Sequence, residues 1–222
     1  MGRRLIQQRR GRGTLTYRVP EKSFKPRIAY ADKAGKVIDI VRNPLSNTPI
    51  AQVMYDDNTT GFVVAPEGIR VGDAVQDFVK PISAVVEGSV VSAIETYPFS
   101  GPKLCRSSGS FAILVAKGEK DCTIQLPSKK TKKIHPTCRV VLGIPSGEGA
   151  KEKPLIKAGN KYHKMHARGK LYPRTSGVAM NAYDHPFGGG YSGLGKAKSV
   201  GRNTPPGRKV GAIASKRTGK RK

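Results

Sequence analysis

The sequence predicts an all-β chain in which two small barrels stand in tandem between long basic extensions. Three observations predict it. Short apolar runs closed by Gly, Pro, Asn and Asp recur at close spacing through residues 31–156. Those runs show no helical periodicity. The charge is unevenly laid out: residues 1–30 hold nine Lys/Arg and one acid, residues 31–150 hold 14 and 12, and residues 151–222 hold 18 and two. A nearly neutral middle therefore lies between two strongly basic ends.

The first barrel is expected over residues 31–82. Residues 37–41 form an apolar run closed by Asn43-Pro44, and residues 50–55 partly alternate and end in the turn Asp56-Asp57-Asn58. Residues 61–65 resume the pattern and stop at Pro66-Glu67-Gly68, and residues 73–79 read as a fourth strand after Gly72. The second barrel is expected over residues 83–156, with a break at residues 97–102. Residues 111–116 and 122–126 read as a hairpin across Lys117-Gly118-Glu119-Lys120, and residues 131–134 and 139–144 complete the sheet. Units of roughly 60 residues can fold alone. An apolar share of 37% without Trp suits small cores and not one core spanning all 222 residues.

Residues 1–30 and 157–222 are expected to be extensions. Arg, Lys, Gly, Gln, Pro, Asn and Ser dominate them. Such segments bury too little apolar surface to offset the entropy of ordering, so they order on a partner. The formal net charge of +26 names that partner's class. Like charges oppose compaction, and a polyanion relieves them while releasing its own counterions. Nucleic acid leads, and an anionic membrane surface stands second. The second needs an amphipathic helix with a basic face, and none is evident. No apolar run reaches 18 residues, so no spanning helix is expected. The N-terminus lacks an apolar signal core, and Ile6 stands where a myristoylation motif needs Ser or Thr. Cys105, Cys122 and Cys138 are odd in number and widely spaced. They suit a reducing cytosol and the packing of cores or loops, and neither a disulfide framework nor a zinc knuckle.

Four segments invite chemistry. Residues 161–170 interleave cations with Tyr162, His163 and His166. Cations suit phosphates and the rings suit unpaired bases, whereas two His alone are too few for zinc; a solvated basic loop is the plainer alternative. Residues 177–190 contain Asp184-His185 and three consecutive Gly. A carboxylate that orients an imidazole base would suit a hydrolase or transferase, but adjacent side chains seldom face one way and no nucleophile is marked. The glycines let backbone amides approach phosphate without the Gly-Lys-Ser/Thr ending of a nucleotide loop. An RNA-contacting loop is therefore the preferred reading. Residues 104–110 place Arg106 and Ser107 in a Gly-containing loop, open equally to phosphate contact and to a plain turn. Residues 128–133 carry four lysines and read as a solvated face with phosphate contact open.

These segments also carry a resemblance. Met180-Asn181-Ala182-Tyr183-Asp184-His185-Pro186-Phe187-Gly188-Gly189-Gly190 resembles the signature of the universal large-subunit ribosomal protein two family. The opening Gly2-Arg3-Arg4 with Gln7-Gln8-Arg9-Arg10-Gly11-Arg12-Gly13, the loop Lys103-Leu104-Cys105-Arg106-Ser107-Ser108-Gly109, residues 157–164 and Pro205-Pro206-Gly207-Arg208-Lys209-Val210-Gly211 agree in order. Phe187 and the ending Ile213-Ala214-Ser215-Lys216-Arg217-Thr218-Gly219 look like the archaeal and eukaryotic branch. The chain departs from the family pattern at residues 146–154, where a Gly run is usual, and is shorter at residues 81–95 and 20–30.

The resemblance implies an OB-fold barrel followed by an SH3-like barrel, with both extensions ordered on large-subunit ribosomal RNA. It implies a structural, non-enzymatic part in translation in cytoplasmic ribosomes, supporting subunit association and the organisation of the peptidyl-transferase region. The implied partners are that RNA, neighbouring ribosomal proteins and the small subunit through an intersubunit bridge, with no membrane and no small-molecule substrate. No cofactor is implied beyond Mg²⁺ at the RNA interface. The RNA-binding residues expected are Arg3, Arg4, Arg9, Arg10, Arg12, Lys103, Arg106, Ser107, Lys157, Lys161, His163, Lys164, His166, Arg168, Lys170, Arg174, Lys196, Lys198, Arg202, Arg208, Lys209, Lys216 and Arg217. Met180, Asn181, Asp184, His185, Gly188, Gly189 and Gly190 are expected near the peptidyl-transferase centre. His185 matches a family histidine once given a catalytic part; the reaction belongs to RNA, so His185 is expected to organise RNA.

Overall fold

The computed structural model describes residues 2–190 and 199–215. The chain divides into two compact units, Lys22–Ile156 and a second composed of Met1–Glu21 with Lys157–Lys222.

The first unit is all-β. Strands β1 (Gly35–Val41), β2 (Ile50–Tyr55) and β3 (Thr60–Val64) form an antiparallel meander. Alternation explains it. Val37 pairs with Val53 on the buried face, and Lys36 pairs with Met54 on the outer one. A bulge between Val37 and Asp39 breaks that alternation and leaves Ile38 and Ile40 partly exposed. The β2–β3 turn is tied by Asp57, whose carboxylate accepts from the Thr59 N–H at 3.2 Å and from Lys33 Nζ. Those hydrogen bonds, the Lys33 one foremost, lower the Asp57 carboxyl to about 2. Residues 24–30 pack on this meander: Phe24 meets the Phe62 ring edge to face at 5.3 Å, Ile28 bridges to Phe62, and Tyr30 is buried.

The strand expected at residues 73–79 is corrected by the structure. Val75–Phe78 forms one helical turn, followed by a short strand, β4 (Val79–Pro81). An extended chain would set Asp77 on the same face as Val75; a helical turn buries Val75 and Phe78 together and leaves Gln76 and Asp77 outside.

β4, β5 (Val90–Ser92), β6 (Ala112–Lys117), β7 (Cys122–Gln125), β8 (Thr131–Ile134) and β9 (Arg139–Leu142) form a second antiparallel sheet in the order β4-β9-β5-β6-β7-β8. Pro81 lacks a ladder donor and sits on the edge strand β4, where that is tolerated. The expected hairpin forms, with Lys117 opposite Cys122. Ile82, Val91, Leu114, Ile124, Ile134 and Val140 fill the core. Cys122 and Cys138 are buried there, and burial raises the thiol pKa of Cys138 and of half-buried Cys105. These two β units, an OB-fold and then an SH3-like fold, make the chain all-β as expected.

One buried ion pair organises this unit. Glu95 is fully buried, and its carboxylate accepts from the Arg139 N–H at 2.9 Å, from Arg139 Nε at 3.3 Å and Nη2 at 3.1 Å, and from the Gly101 N–H at 2.9 Å. The guanidinium lies between the rings of Tyr30 and Phe99, 5.5 and 5.1 Å from their centroids. Tyr30 donates its hydroxyl to the Ala93 carbonyl, and burial followed by the Glu95 charge raises its pKa well above the ordinary value.

The second unit holds more regular structure than its composition suggests. Ala158–Ala167 is a ten-residue helix with no buried residue. It stops at Gly169, whose φ of +59° suits a left-handed cap, with the Gly169 N–H donating to the His166 carbonyl and the Lys170 N–H to the Met165 carbonyl.

Candidate nucleic-acid interface

In the second unit the start of the chain lies along residues 180–187. The Arg3 N–H donates to the Tyr183 carbonyl at 2.9 Å, and the Arg3 guanidinium sits 5.2 Å from the Tyr183 ring centroid and 3.5 Å from Asp184 Oδ1. Leu5 is buried, and its N–H donates to Gln8 Oε1 at 2.9 Å, which fixes the turn Ile6–Arg9.

The signature segment is a chain of tight turns. The Asn181 carbonyl accepts from the Asp184 and His185 N–H groups at 2.9 and 3.2 Å, and the His185 carbonyl accepts from the Gly188 N–H at 2.9 Å. Gly188 lies so close to this turn that a Cβ there would stand 2.3 Å from the Asn181 carbonyl oxygen. Gly177 holds the His185 ring in the same way: a Cβ would fall 2.3 Å from Cε1. Gly177 and Gly188 are thus fixed by close approach, whereas a Cβ at Gly190 would meet nothing within 4 Å.

His185 Nδ1 accepts from the Phe187 N–H at 3.1 Å, and the two rings meet edge to face at 5.3 Å. A neutral ring held so carries its proton on Nε2, which is left as a donor. Asp184 pairs with Arg3, so the carboxylate–imidazole dyad that the adjacency suggested is not formed. The arrangement offers a fixed N–H donor, backbone amides and surrounding cations, which suits an anionic, hydrogen-bonding partner and not acid–base turnover.

Asp184 is the single acid between residues 157 and 222, against sixteen Lys and Arg. Lys164, Lys170, Arg174, Arg202, Arg208 and Lys209 have no acidic partner among the described residues. Arg4, Arg10 and Arg12 are likewise without one, and Arg9 Nε donates to the Arg4 carbonyl at 2.8 Å. On the helix, Lys161 and Lys164 recur at helical spacing on one side, and Arg168 is the C-cap residue that follows. Lys161 Nζ stands 5.3 Å from the Tyr172 ring centroid, and the exposed Tyr162 ring stacks on His166 at 6.0 Å and meets His163 at 5.5 Å. Exposed π-faces beside cations form a platform for unpaired bases. Among the described residues no group of three or more His, Cys, Asp or Glu is placed to hold a metal ion.

Lys103, Arg106 and Ser107 belong to the first unit and are exposed. Their loop is pinned from within: Thr48 Oγ1 donates to the Arg106 carbonyl at 3.1 Å, the Ser110 N–H to the Ser107 carbonyl at 3.0 Å, and Ser108 is buried. Lys157 is exposed at the helix N-cap. Lys196, Lys198, Lys216 and Arg217 lie outside the described residues. Sequence reasoning missed Gln8, the partner choice of Asp184, and Asn43 and Thr48 beneath Arg106; each depends on a contact between distant segments that no local pattern signals.

The family model for Ribosomal Proteins L2, RNA binding N-terminal domain, matches residues 2–77, and that for Ribosomal Proteins L2, C-terminal domain, matches residues 77–209. A protein of Natronomonas pharaonis named large ribosomal subunit protein uL2 is 45% identical over 236 residues, covering 99% of this chain and 97% of the relative. Relatives of the same name from Archaeoglobus fulgidus and Methanothermobacter thermautotrophicus are 44% and 42% identical, each aligned over 100% of both chains.

Proposed function

The chain belongs to the ribosomal protein L2 family, in its archaeal form, and on that premise we propose how it holds ribosomal RNA. It is a structural constituent of the large ribosomal subunit, an RNA-binding component of cytoplasmic ribosomes and not an enzyme. Within that role, the cations of residues 2–21 and 157–215 neutralise phosphates of large-subunit RNA. Lys161, Lys164 and Arg168 grip backbone beside the Tyr162 platform, and Lys103 and Arg106 make a separate contact from the first unit. His185 serves as a neutral Nε2–H donor that organises RNA near the peptidyl-transferase region, with Met180, Asn181 and Gly188–Gly190 shaping the loop and Arg3 steadying Asp184. Contacts with neighbouring ribosomal proteins, an intersubunit bridge to the small subunit and Mg²⁺ shared with RNA phosphates complete the proposal.

The observation that carries it is the sixteen-to-one excess of cations over acids in residues 157–222, in a unit whose one acid there is already paired. The test is the salt dependence of binding to a large-subunit RNA transcript. With roughly 6–10 phosphates neutralised, affinity falls about 10³–10⁵-fold between 50 and 200 mM salt. An affinity that stays flat across that range contradicts the reading.

A further inference from the structure

The six-stranded sheet of the first unit ends on an open edge. β8 is its outermost strand and pairs with β7 on one side only. The Leu126 N–H donates to the Lys130 carbonyl at 2.9 Å, which starts the β7–β8 ladder. Hydrogen-bonded and non-bonded pairs alternate from there. Lys132 and Ile134 therefore bond to β7, while the N–H and C=O groups of Thr131 and Lys133 face outward, with no partner among the described residues. Four lysines, Lys129, Lys130, Lys132 and Lys133, crowd this strand and the turn before it. All four are exposed, and no acid among the described residues pairs with any of them.

We propose that β8 is a docking edge for an extended, acidic segment of a protein partner, which adds to the sheet as a further strand. Backbone and charge select the same occupant. Phosphates would meet the lysines but would set acceptors against the outward carbonyls, which are acceptors too. An acidic strand gives the edge both donors and acceptors from its backbone, and carboxylates for the lysines. A second copy of β8 is rejected because lysines would face lysines; charged edges block self-pairing in this way. The chain has no acidic run of its own for the edge. Its only adjacent acids, Asp56-Asp57, lie in the β2–β3 turn, where Asp57 is tied to Lys33. Thr131–Ile134 spans roughly 14 Å, so a partner segment of about four to six residues covers it. The edge belongs to the first unit, which leaves the cations of the extensions to RNA.

Thr131→Pro separates the backbone from the charge. It keeps all four lysines, and the N–H it removes faces outward on an edge strand, where proline is tolerated. The full chain, Thr131→Pro and a Thr131→Ala control are each mixed with a synthetic peptide of alternating Glu and Val, and amide hydrogen exchange at Lys133 is followed by NMR. Reading that one amide sets the edge apart from peptide adsorbed on the basic extensions. With peptide at 100 times its Kd, exchange at Lys133 is expected to slow on the order of 100-fold in wild type and Thr131→Ala, and to stay unchanged in Thr131→Pro. Equal slowing in all three chains overturns the proposal and leaves charge alone as the attraction. Absence of slowing in wild type overturns it as well. Slowing by an all-uridine oligonucleotide to the same degree as by the peptide also overturns it, and assigns the hairpin to RNA. Protection that rises with protein concentration without peptide overturns it in favour of a second copy. If Thr131→Pro loses its melting transition, wild type is measured with the same peptide N-methylated at alternate residues; slowing equal to that by the parent peptide overturns strand addition.

Discussion

Replacing Glu95 with Gln isolates the physics of the first unit. Glu95 is wholly buried, and its partner Arg139 has a side chain only 11% exposed. Each carboxylate oxygen accepts two donors: Oε1 from Gly101 N–H and Arg139 Nη2, and Oε2 from Arg139 N–H and Nε. Gln has nearly the same shape, but one of those positions becomes an NH₂ that confronts two donors. Two hydrogen bonds are therefore lost whichever way the amide turns. Arg139 also loses its buried counter-charge and keeps Asp32, at 2.6 Å but 64% exposed. Breaking a buried pair from one side costs about 3–5 kcal/mol. The surviving Asp32 contact places Glu95→Gln at the low end, about 3 kcal/mol, a large part of the roughly 5–15 kcal/mol of a folded domain. With a urea slope of about 1–3 kcal/mol per M, the unfolding midpoint falls by about 1–3 M. The chain has no Trp, so tyrosine fluorescence, with Tyr30 beside Arg139, reports the transition. A double replacement, Glu95→Leu with Arg139→Met, recovers only part of the loss, because it leaves no uncompensated charge but strips the Gly101 and Arg139 N–H groups of their acceptor. A Glu95→Gln midpoint within about 0.3 M of wild type, corresponding to less than about 1 kcal/mol, refutes the reasoning.

Other outcomes follow from the same contacts. Gly177→Ala forces the His185 ring from its place, since the new Cβ would stand 2.3 Å from Cε1; it should weaken RNA binding without changing β-sheet circular dichroism, and unchanged affinity would contradict the packing. His185→Ala should leave the melting of the two β units unaltered, because the ring packs on Gly177 and Phe187 in the other unit; a large drop in melting temperature counts against this. Asp57 should titrate at about 2 by NMR. Its folded pKa is depressed, so the stability it adds is present above the unfolded value near 3.9 and is lost as pH falls through about 2; Lys33→Ala should raise that pKa, and no movement would remove Lys33 as the cause. Cys105 and Cys138, both raised by burial, should react with a disulfide reagent far more slowly in the folded chain than in urea, and equal rates would contradict their environment.

Much of the first unit is legible from residue order because alternation and burial coincide there. Cys122 and Ile124 point inward while Thr123 and Gln125 stand half out, the two-residue period that the sequence shows. The pattern misleads at residues 73–79, where Val75 and Phe78 are three apart and a helical turn buries both. It is silent at β4 and β5, which have three residues each, too short for any period to register. The helix Ala158–Ala167 has no fully buried residue, and Met165 with two alanines is too little to make an apolar stripe that would announce it. The excess of cations in residues 157–222 was legible as a charge imbalance, a property of composition. The pairings were not. Glu95 meets Arg139 across 44 residues, and Asp184 meets Arg3 across 181 residues instead of its neighbour His185. Such choices are made by tertiary packing, and sequence adjacency points the wrong way for the second.

The central claim is that this chain is built into the large ribosomal subunit through its cationic extensions. Sedimentation of a cell lysate through a sucrose gradient, followed with an antibody to the chain at low and high salt, tests it most directly. The account predicts co-migration with large subunits that survives the high-salt wash, because many phosphate contacts act together once the RNA is folded around them. A chain found at the top of the gradient at both salt concentrations contradicts the account.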